Sequence, residues 1–183
     1  QSGGIISEKL NEGRLTRVFS TIDERIQHLS DFVQGYGKFA KLPEPKIQAI
    51  DWGHLIATLK SQWQFIDLSA EKQTVYADPV QLEQLLINLI KNAHESGSLP
   101  EDVSIRLEQR QNESCILVMD KGKGISENVM ANALIPFYST KASGSGLGLA
   151  LCREITDAHH GNIGLFNRDG GGLTVRVILP YQG

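Results

Sequence analysis

Two glycine-rich turns, Asp120-Lys121-Gly122-Lys123-Gly124 and Gly144-Ser145-Gly146-Leu147-Gly148-Leu149, stand about twenty residues apart and constrain this chain more than any other feature. Between them lies a short aromatic and basic segment, Pro136-Phe137-Tyr138-Ser139-Thr140-Lys141, and upstream lie Asn88 and Asn92. An i,i+4 pair projects from one helix face, so these two amides would point the same way. A carboxylate, two amides, two glycine turns and a lysine are a near-complete kit for holding a nucleotide with a divalent cation. The order excludes the better-known nucleotide loops. No G-x-x-x-x-G-K-[ST] is present, which removes a P-loop. No strand–G-x-G-x-x-G–helix precedes an acidic residue at the required distance, which removes a dinucleotide fold.

At these residues the chain resembles the catalytic, ATP-binding domain of bacterial sensor histidine kinases, in the superfamily that also includes gyrase, Hsp90 and MutL. Leu86-Ile87-Asn88-Leu89-Ile90-Lys91-Asn92-Ala93 resembles the N box, and Asp120-x-Gly122-x-Gly124-Ile125 the G1 box. Pro136–Lys141 resembles the F box, and Gly144-x-Gly146-Leu147-Gly148-Leu149 the G2 box. The span from the F box to the G2 box is short, as in the nitrogen-regulation-like branch with a short ATP lid. The resemblance implies ATP and Mg²⁺ as ligands and a γ-phosphoryl transfer to a histidine. It also implies a response regulator as partner and a homodimer in the full-length protein.

By the same resemblance Asn92 would offer its carbonyl oxygen to Mg²⁺, a hard cation that takes oxygen ligands. Asn88 stands where the ATPase branches carry a water-activating Glu. An amide cannot be a general base, which points toward transfer to a protein acceptor instead of hydrolysis. Asp120 would accept from the exocyclic amine of adenine; a carboxylate only accepts, so it disfavours guanine's carbonyl there. Gly122 and Gly124 would let backbone approach the base where a Cβ would clash, with Ile125 completing the box. Gly144, Ser145, Gly146, Leu147, Gly148 and Leu149 would open a helix whose first N–H groups and dipole favour phosphates. Lys141 would reach the triphosphate, Thr140 would sit beside it, Phe137 would anchor the lid, and Thr174 would line the site. The bland readings are a solvated helix edge for the asparagines, a turn-forming Asp before Gly, and a solvated loop lysine for Lys141.

The bulk properties fit this frame. A length of 183 residues supports one ordinary domain plus an extension. A net charge of −3 with scattered Lys and Arg gives no footprint for nucleic acid. Cys115 and Cys152 lack metal-ligand spacing and read as reduced thiols of a cytoplasmic protein. Sensor kinases carry sensory or membrane segments upstream, so the full-length protein would be longer. Residues 1–6 read as the remnant of a cleaved tag.

Residues 7–41 read as one long helix. Leu15, Ile22, Leu29 and Tyr36 recur every seven residues, and Val18, Phe19, Ile26, Phe32 and Val33 widen the stripe. Either this helix packs on its own domain or it is the second helix of a dimerisation hairpin. Pro43 and Pro45 end it and make a linker. The organisation is therefore 7–45, hairpin helix and linker, then 46–183, catalytic domain. Helices are expected at 52–62, at 79–95 after the capping Asp78 with Pro79 behind it, at 127–134 and up to 159. Strands are expected at 65–68, 73–77, 103–109, 114–119, 163–166 and 174–179. Strands and helices mix without a β-α-β repeat, so the fold class is α+β: a two-layer α/β sandwich, helices on one face of a mixed sheet, the Bergerat fold. His28 lacks the following acid and Pro of a phosphoacceptor box, and His159 with His160 reads as a helix C-terminal cap pair.

Overall fold

The computed structural model describes residues 2–40, 42–139 and 146–181, and within the first helix the side chains at positions 13–27, 29–30, 33–34 and 37. The element order is α1 (Ser2–Ala40), β1 (Gln48–Asp51), α2 (Trp52–Lys60), β2 (Ile66–Asp67), β3 (Thr74–Ala77) and α3 (Pro79–Glu95), followed by β4 (Ser104–Arg110), β5 (Glu113–Met119), α4 (Glu127–Asn132), α5 (Gly148–Ala158), β6 (Asn162–Asn167) and β7 (Leu173–Pro180). Five strands form one sheet in the order β2-β4-β5-β7-β6. β2 runs parallel to β4 and the remaining pairs are antiparallel, which makes the sheet mixed.

Side chains alternate across a strand, and here the alternation decides which face is covered. Ile105, Leu107, Ile116, Val118, Leu165, Val175, Val177 and Leu179 are buried on one face. Against them pack Trp52, Leu55, Ile56 and Leu59 of α2, Leu82, Leu85, Leu86, Leu89, Ile90 and Ala93 of α3, and Leu151, Cys152 and Ile155 of α5. Each such aliphatic side chain, fully buried, contributes on the order of 1.5–3 kcal/mol of gross transfer free energy. The other face carries Arg106, Leu117 and Arg176 in one register row. The result is the expected two-layer sandwich with helices on one side.

Caps set the helix starts. Asp51 accepts from the His54 N–H at 2.7 Å and begins α2. Asp78 accepts from the N–H groups of Val80 and Gln81 at 3.0 Å and begins α3, with Pro79 in its first turn. The sequence did not suggest β1. That strand pairs antiparallel with β3, Ile50 opposite Val75, so 73–77 joins a separate two-stranded sheet and not the main one. α5 starts at Gly148, at the end of the glycine run.

α1 begins at Ser2 and runs through the residues read as a tag remnant. Its stripe of Leu15, Val18, Phe19, Ile22, Ile26, Leu29 and Val33 is 46–63% exposed, so packing on its own domain does not account for the apolar pattern. Among the described residues no helix is long and apolar enough to cross a membrane.

Candidate nucleotide site

α3 and α5 meet where the two asparagines lie. Asn88 donates from Nδ2 to the Gly148 carbonyl at 3.4 Å and accepts at Oδ1 from Gln84 at 3.3 Å. Asn92 sits one turn further on, half-buried, and its Nδ2 lies 4.0 Å from where a Cβ on Gly148 would stand. Both amides therefore face the start of α5. Leu147, the residue before α5, is buried and supplies no side-chain cap. The first N–H groups of a helix have no intrahelical acceptor, and with the dipole they form a ready anion site.

The turn leading into α5 is shaped by close contact. Gly146 has φ +70°, and a Cβ there would lie 2.5 Å from the Phe137 carbonyl carbon. Phe137 itself holds φ +65° and is 51% exposed, an uncommon backbone state for an aromatic residue. Leu149 is half-buried against the core. Thr140, Lys141, Gly144 and Ser145 lie outside the described residues.

The other end of the site is built around Asp120, 4% exposed, just past β5. Its Oδ1 accepts from the N–H groups of Gly122 at 2.8 Å and Leu173 at 3.2 Å. Its own N–H donates to the Leu173 carbonyl at 3.0 Å. Its second oxygen takes no hydrogen bond from the described residues. Lys121 N–H donates to Ser98 Oγ at 3.1 Å, and Arg168 Nη1 donates to the Asp120 carbonyl at 2.6 Å. Asn167 grips the backbone of Ile125 twice, accepting from its N–H at 3.0 Å and donating to its carbonyl at 2.7 Å.

Packing within the protein is itself a reason for the glycines of this turn. A Cβ on Gly122 would collide with the Ser96 hydroxyl and stand 2.5 Å from its carbonyl oxygen. A Cβ on Gly124, at φ +67°, would stand 2.7 Å from Asn167 Oδ1. The protein itself fills the space. Thr174 shares a face with Met119 and Arg176, opposite to that of Leu173 and Val175. The neighbouring Leu173, through its backbone, is what reaches Asp120.

Two buried groups near the site are explained by packing. Cys152, donating to the Leu85 carbonyl at 3.7 Å, has its thiol pushed up to about 12 by burial, which outweighs the lowering effect of Asn88. It stays protonated at neutral pH. His159, 1% exposed, caps α5 as expected, but both its ring nitrogens are engaged. Nδ1 lies 2.7 Å from the Ile155 carbonyl and Nε2 accepts from the Asp78 N–H at 3.0 Å. Among the described residues no group of three or more His, Cys, Asp or Glu could hold a metal. The oxygen donors that remain, an amide beside a helix N-terminus, suit a hard cation shared with phosphates and not a transition metal.

Residues 77–183 match the family described as histidine kinase-, DNA gyrase B- and HSP90-like ATPase. The chain belongs to this ATPase family. Membership implies an ATP-binding domain. The chain is 42% identical over 110 residues to the C4-dicarboxylate transport sensor protein DctS of Rhodobacter capsulatus, covering 58% of this chain and 17% of that protein. It is 30% identical over 174 residues to the signal transduction histidine-protein kinase AtoS of Escherichia coli K12, covering 89% of this chain and 29% of that one. The chain therefore spans less than a third of these relatives. The nucleotide-free catalytic domain of histidine kinase ThkA superposes with TM-score 0.65 at 29% identity, over 74% of this chain and 95% of that domain. ThkA in complex with the response regulator protein TrrA superposes with TM-score 0.69 at 25% identity, over 88% of this chain and 49% of that one. The turn after β5 rests on supports that sequence reasoning missed: Ser96, Ser98, Asn167, Arg168 and Leu173. For Asn167 and Arg168 the signal was the run Asn167-Arg168-Asp169-Gly170-Gly171-Gly172, which reads as a turn and says nothing of what it touches; Ser96, Ser98 and Leu173 carried none.

Proposed function

We propose that this chain is the ATP-binding catalytic part of a two-component sensor histidine kinase, located in the cytoplasm. It would bind Mg-ATP and pass the γ-phosphoryl group to a histidine on a dimerisation helix. The observation that carries the reading is the buried Asp120 carboxylate, with one oxygen fixed by two backbone N–H groups and the other left for a ligand. That second oxygen would accept from the exocyclic amine of adenine. The polyphosphate would then run toward the N-terminus of α5, beside Asn88 and Asn92. Lys141 and the lid residues Phe137 and Thr140 would complete the enclosure, together with Gly144 and Ser145.

Asn92 would hold Mg²⁺ through its amide oxygen. Bound there, Mg²⁺ would supply charge neutralisation for the loose transition state. In the transfer the bond from the γ-phosphorus to the β–γ bridging oxygen breaks and a bond to an imidazole nitrogen forms. The imidazole sheds its proton and ADP leaves. Asn88 supports transfer over hydrolysis, because an amide held between Gln84 and Gly148 cannot take a proton from water. His159 is excluded as acceptor by its burial and its two hydrogen bonds.

The exposed stripe of α1 supports a homodimer in which two such helices pack together. The resemblance to ThkA, which has been captured with a response regulator, supports a response regulator as the next acceptor. The test is calorimetric titration with ATP and GTP, with and without Mg²⁺, followed by incubation of the ATP-loaded chain with a histidine-bearing dimerisation hairpin in trans. Tighter binding of ATP than GTP and acid-labile label on the hairpin are expected. Equal affinity for both nucleotides would overturn the role of Asp120, and release of phosphate without any labelling would overturn the kinase reading.

A further inference from the structure

The segment between α1 and β1 is tied to both helices of the nucleotide site through a small polar cluster. Asp78 caps α3 with Oδ1 and uses Oδ2 to accept from the Lys46 N–H at 2.9 Å. Gln81, 4% exposed, donates from Nε2 to the Pro43 carbonyl at 2.8 Å. Leu42 adds an apolar contact to the core. His159, the C-cap of α5, joins that helix to Asp78, the N-cap of α3, by accepting the Asp78 N–H on Nε2, while Nδ1 sits on the Ile155 carbonyl. That pattern fixes the neutral tautomer with the proton on Nδ1, since Nε2 must be an acceptor.

The geometry has a consequence for the site. Asn88 and Asn92 ride on α3, and the helix N-terminus they face belongs to α5. The spacing between the two is set at one end by the Asn88–Gly148 bond and at the other by Asp78–His159. The segment 42–47 bonds to the same Asp78. The tether is also finely balanced. Gln81 Oε1 is buried with no partner among the described residues, and an unmade buried hydrogen bond offsets part of what the made ones contribute.

We propose that Asp78, Gln81 and His159 form a positioning node through which docking of residues 42–47 sets the spacing of α3 and α5, and so the affinity of the nucleotide site. The node rests on the nucleotide-binding reading above. Coupling of this kind is reciprocal: if docking favours nucleotide, nucleotide favours docking by the same factor.

The test uses the whole 183-residue chain, Mg-ADP as ligand, calorimetry for affinity and hydrogen exchange for residues 42–47. Lys46→Pro deletes the donating N–H from the segment and touches neither helix. Gln81→Leu removes the amide that holds Pro43 and keeps the volume. His159→Gln keeps an acceptor for Asp78, whereas His159→Leu does not. Lys46→Pro and Gln81→Leu should speed exchange at 42–47 and weaken Mg-ADP by about fivefold or more, with the melting temperature little changed. His159→Leu should weaken Mg-ADP likewise, and His159→Gln should restore most of the loss. Saturating Mg-ADP should slow exchange at 42–47 in the unaltered chain. Faster exchange with unchanged affinity would overturn the coupling, and unchanged exchange in both linker variants would overturn the tether. Failure of the unaltered chain to bind Mg-ADP would instead overturn the nucleotide reading beneath it.

Discussion

The two ends of the proposed nucleotide site are built in opposite ways. Around Asp120 every backbone group of consequence is claimed: by Leu173 on two bonds, by Ser98, by Arg168 and by the Asn167 amide. At the start of α5 Asn88 reaches the Gly148 carbonyl at 3.4 Å, Gly146 lies against Phe137, and Leu147 supplies no side-chain cap. A preformed end costs no ordering on binding and can discriminate by geometry. An end with unclaimed helix N–H groups leaves a place for an anion to satisfy them. The base end is where selectivity should reside, and the phosphate end is where charge and the cation should act.

The largest expected effect tests the packed end directly. Gly122→Ala pushes a Cβ into the backbone of Ser96 and should cost roughly 3 kcal/mol of stability. Thermal unfolding checks it; a variant as stable as the parent would mean that the turn has slack and the contrast is false. Next comes Asp120→Asn, which keeps an Oδ1 acceptor for Gly122 and Leu173 but puts an NH₂ where the free oxygen was. Adenine affinity should fall about thirtyfold or more with little change in melting temperature, because a polar group at a readout position is then mismatched. An unaffected titration would remove Asp120 from the base.

At the looser end, Asn92→Ala should weaken Mg-dependent nucleotide binding about tenfold while leaving Mg-free binding and folding nearly unchanged. A large drop in melting temperature without nucleotide would show the amide to be a fold element. The smallest effect concerns acid. Burial tends to raise the Asp78 carboxyl, but the N–H groups of Lys46, Gln81 and Val80 outweigh it and hold it below its ordinary value of 3.8. A depressed folded value means that the contribution is full above the unfolded value and is lost as pH falls through the folded one. The protection of residues 42–47, taken against the intrinsic exchange rate at each pH, should therefore hold down to about pH 4 and fall only below it. Release well above pH 4 would remove the Asp78 carboxyl from the tether.

Local signals carried much of this into the sequence. Asp78-Pro79 announced α3 because a cap and a first-turn proline act within four residues. The Leu82/Leu85/Leu86/Leu89 stripe announced its buried face because helical period is a local property. β1 escaped, since Gln48–Asp51 is largely exposed and owes its strand to a partner at residues 74–77. The packing of Gly122 on Ser96 escaped for a related reason: a glycine's permissiveness is visible in sequence, but what stands beside it is not. Thr174 illustrates the sharpest limit. A strand's side chains alternate, so a displacement of one residue moves the candidate to the other face, and only the pairing with Met119 decides which face that is.

The 39 residues of α1 give a helix about 58 Å long at 1.5 Å per residue. It is longer than the domain it adjoins, whose residue count corresponds to a diameter on the order of 35–40 Å. A rod of that length carried on the docked segment 42–47 would act as a mechanical amplifier. Rocking it by about 10° carries its far end through about 10 Å, nearly two helical turns. Run in reverse, with the rod clamped by a partner, the same tilt would move the far edge of the domain by about 6–7 Å and its centre by about half as much.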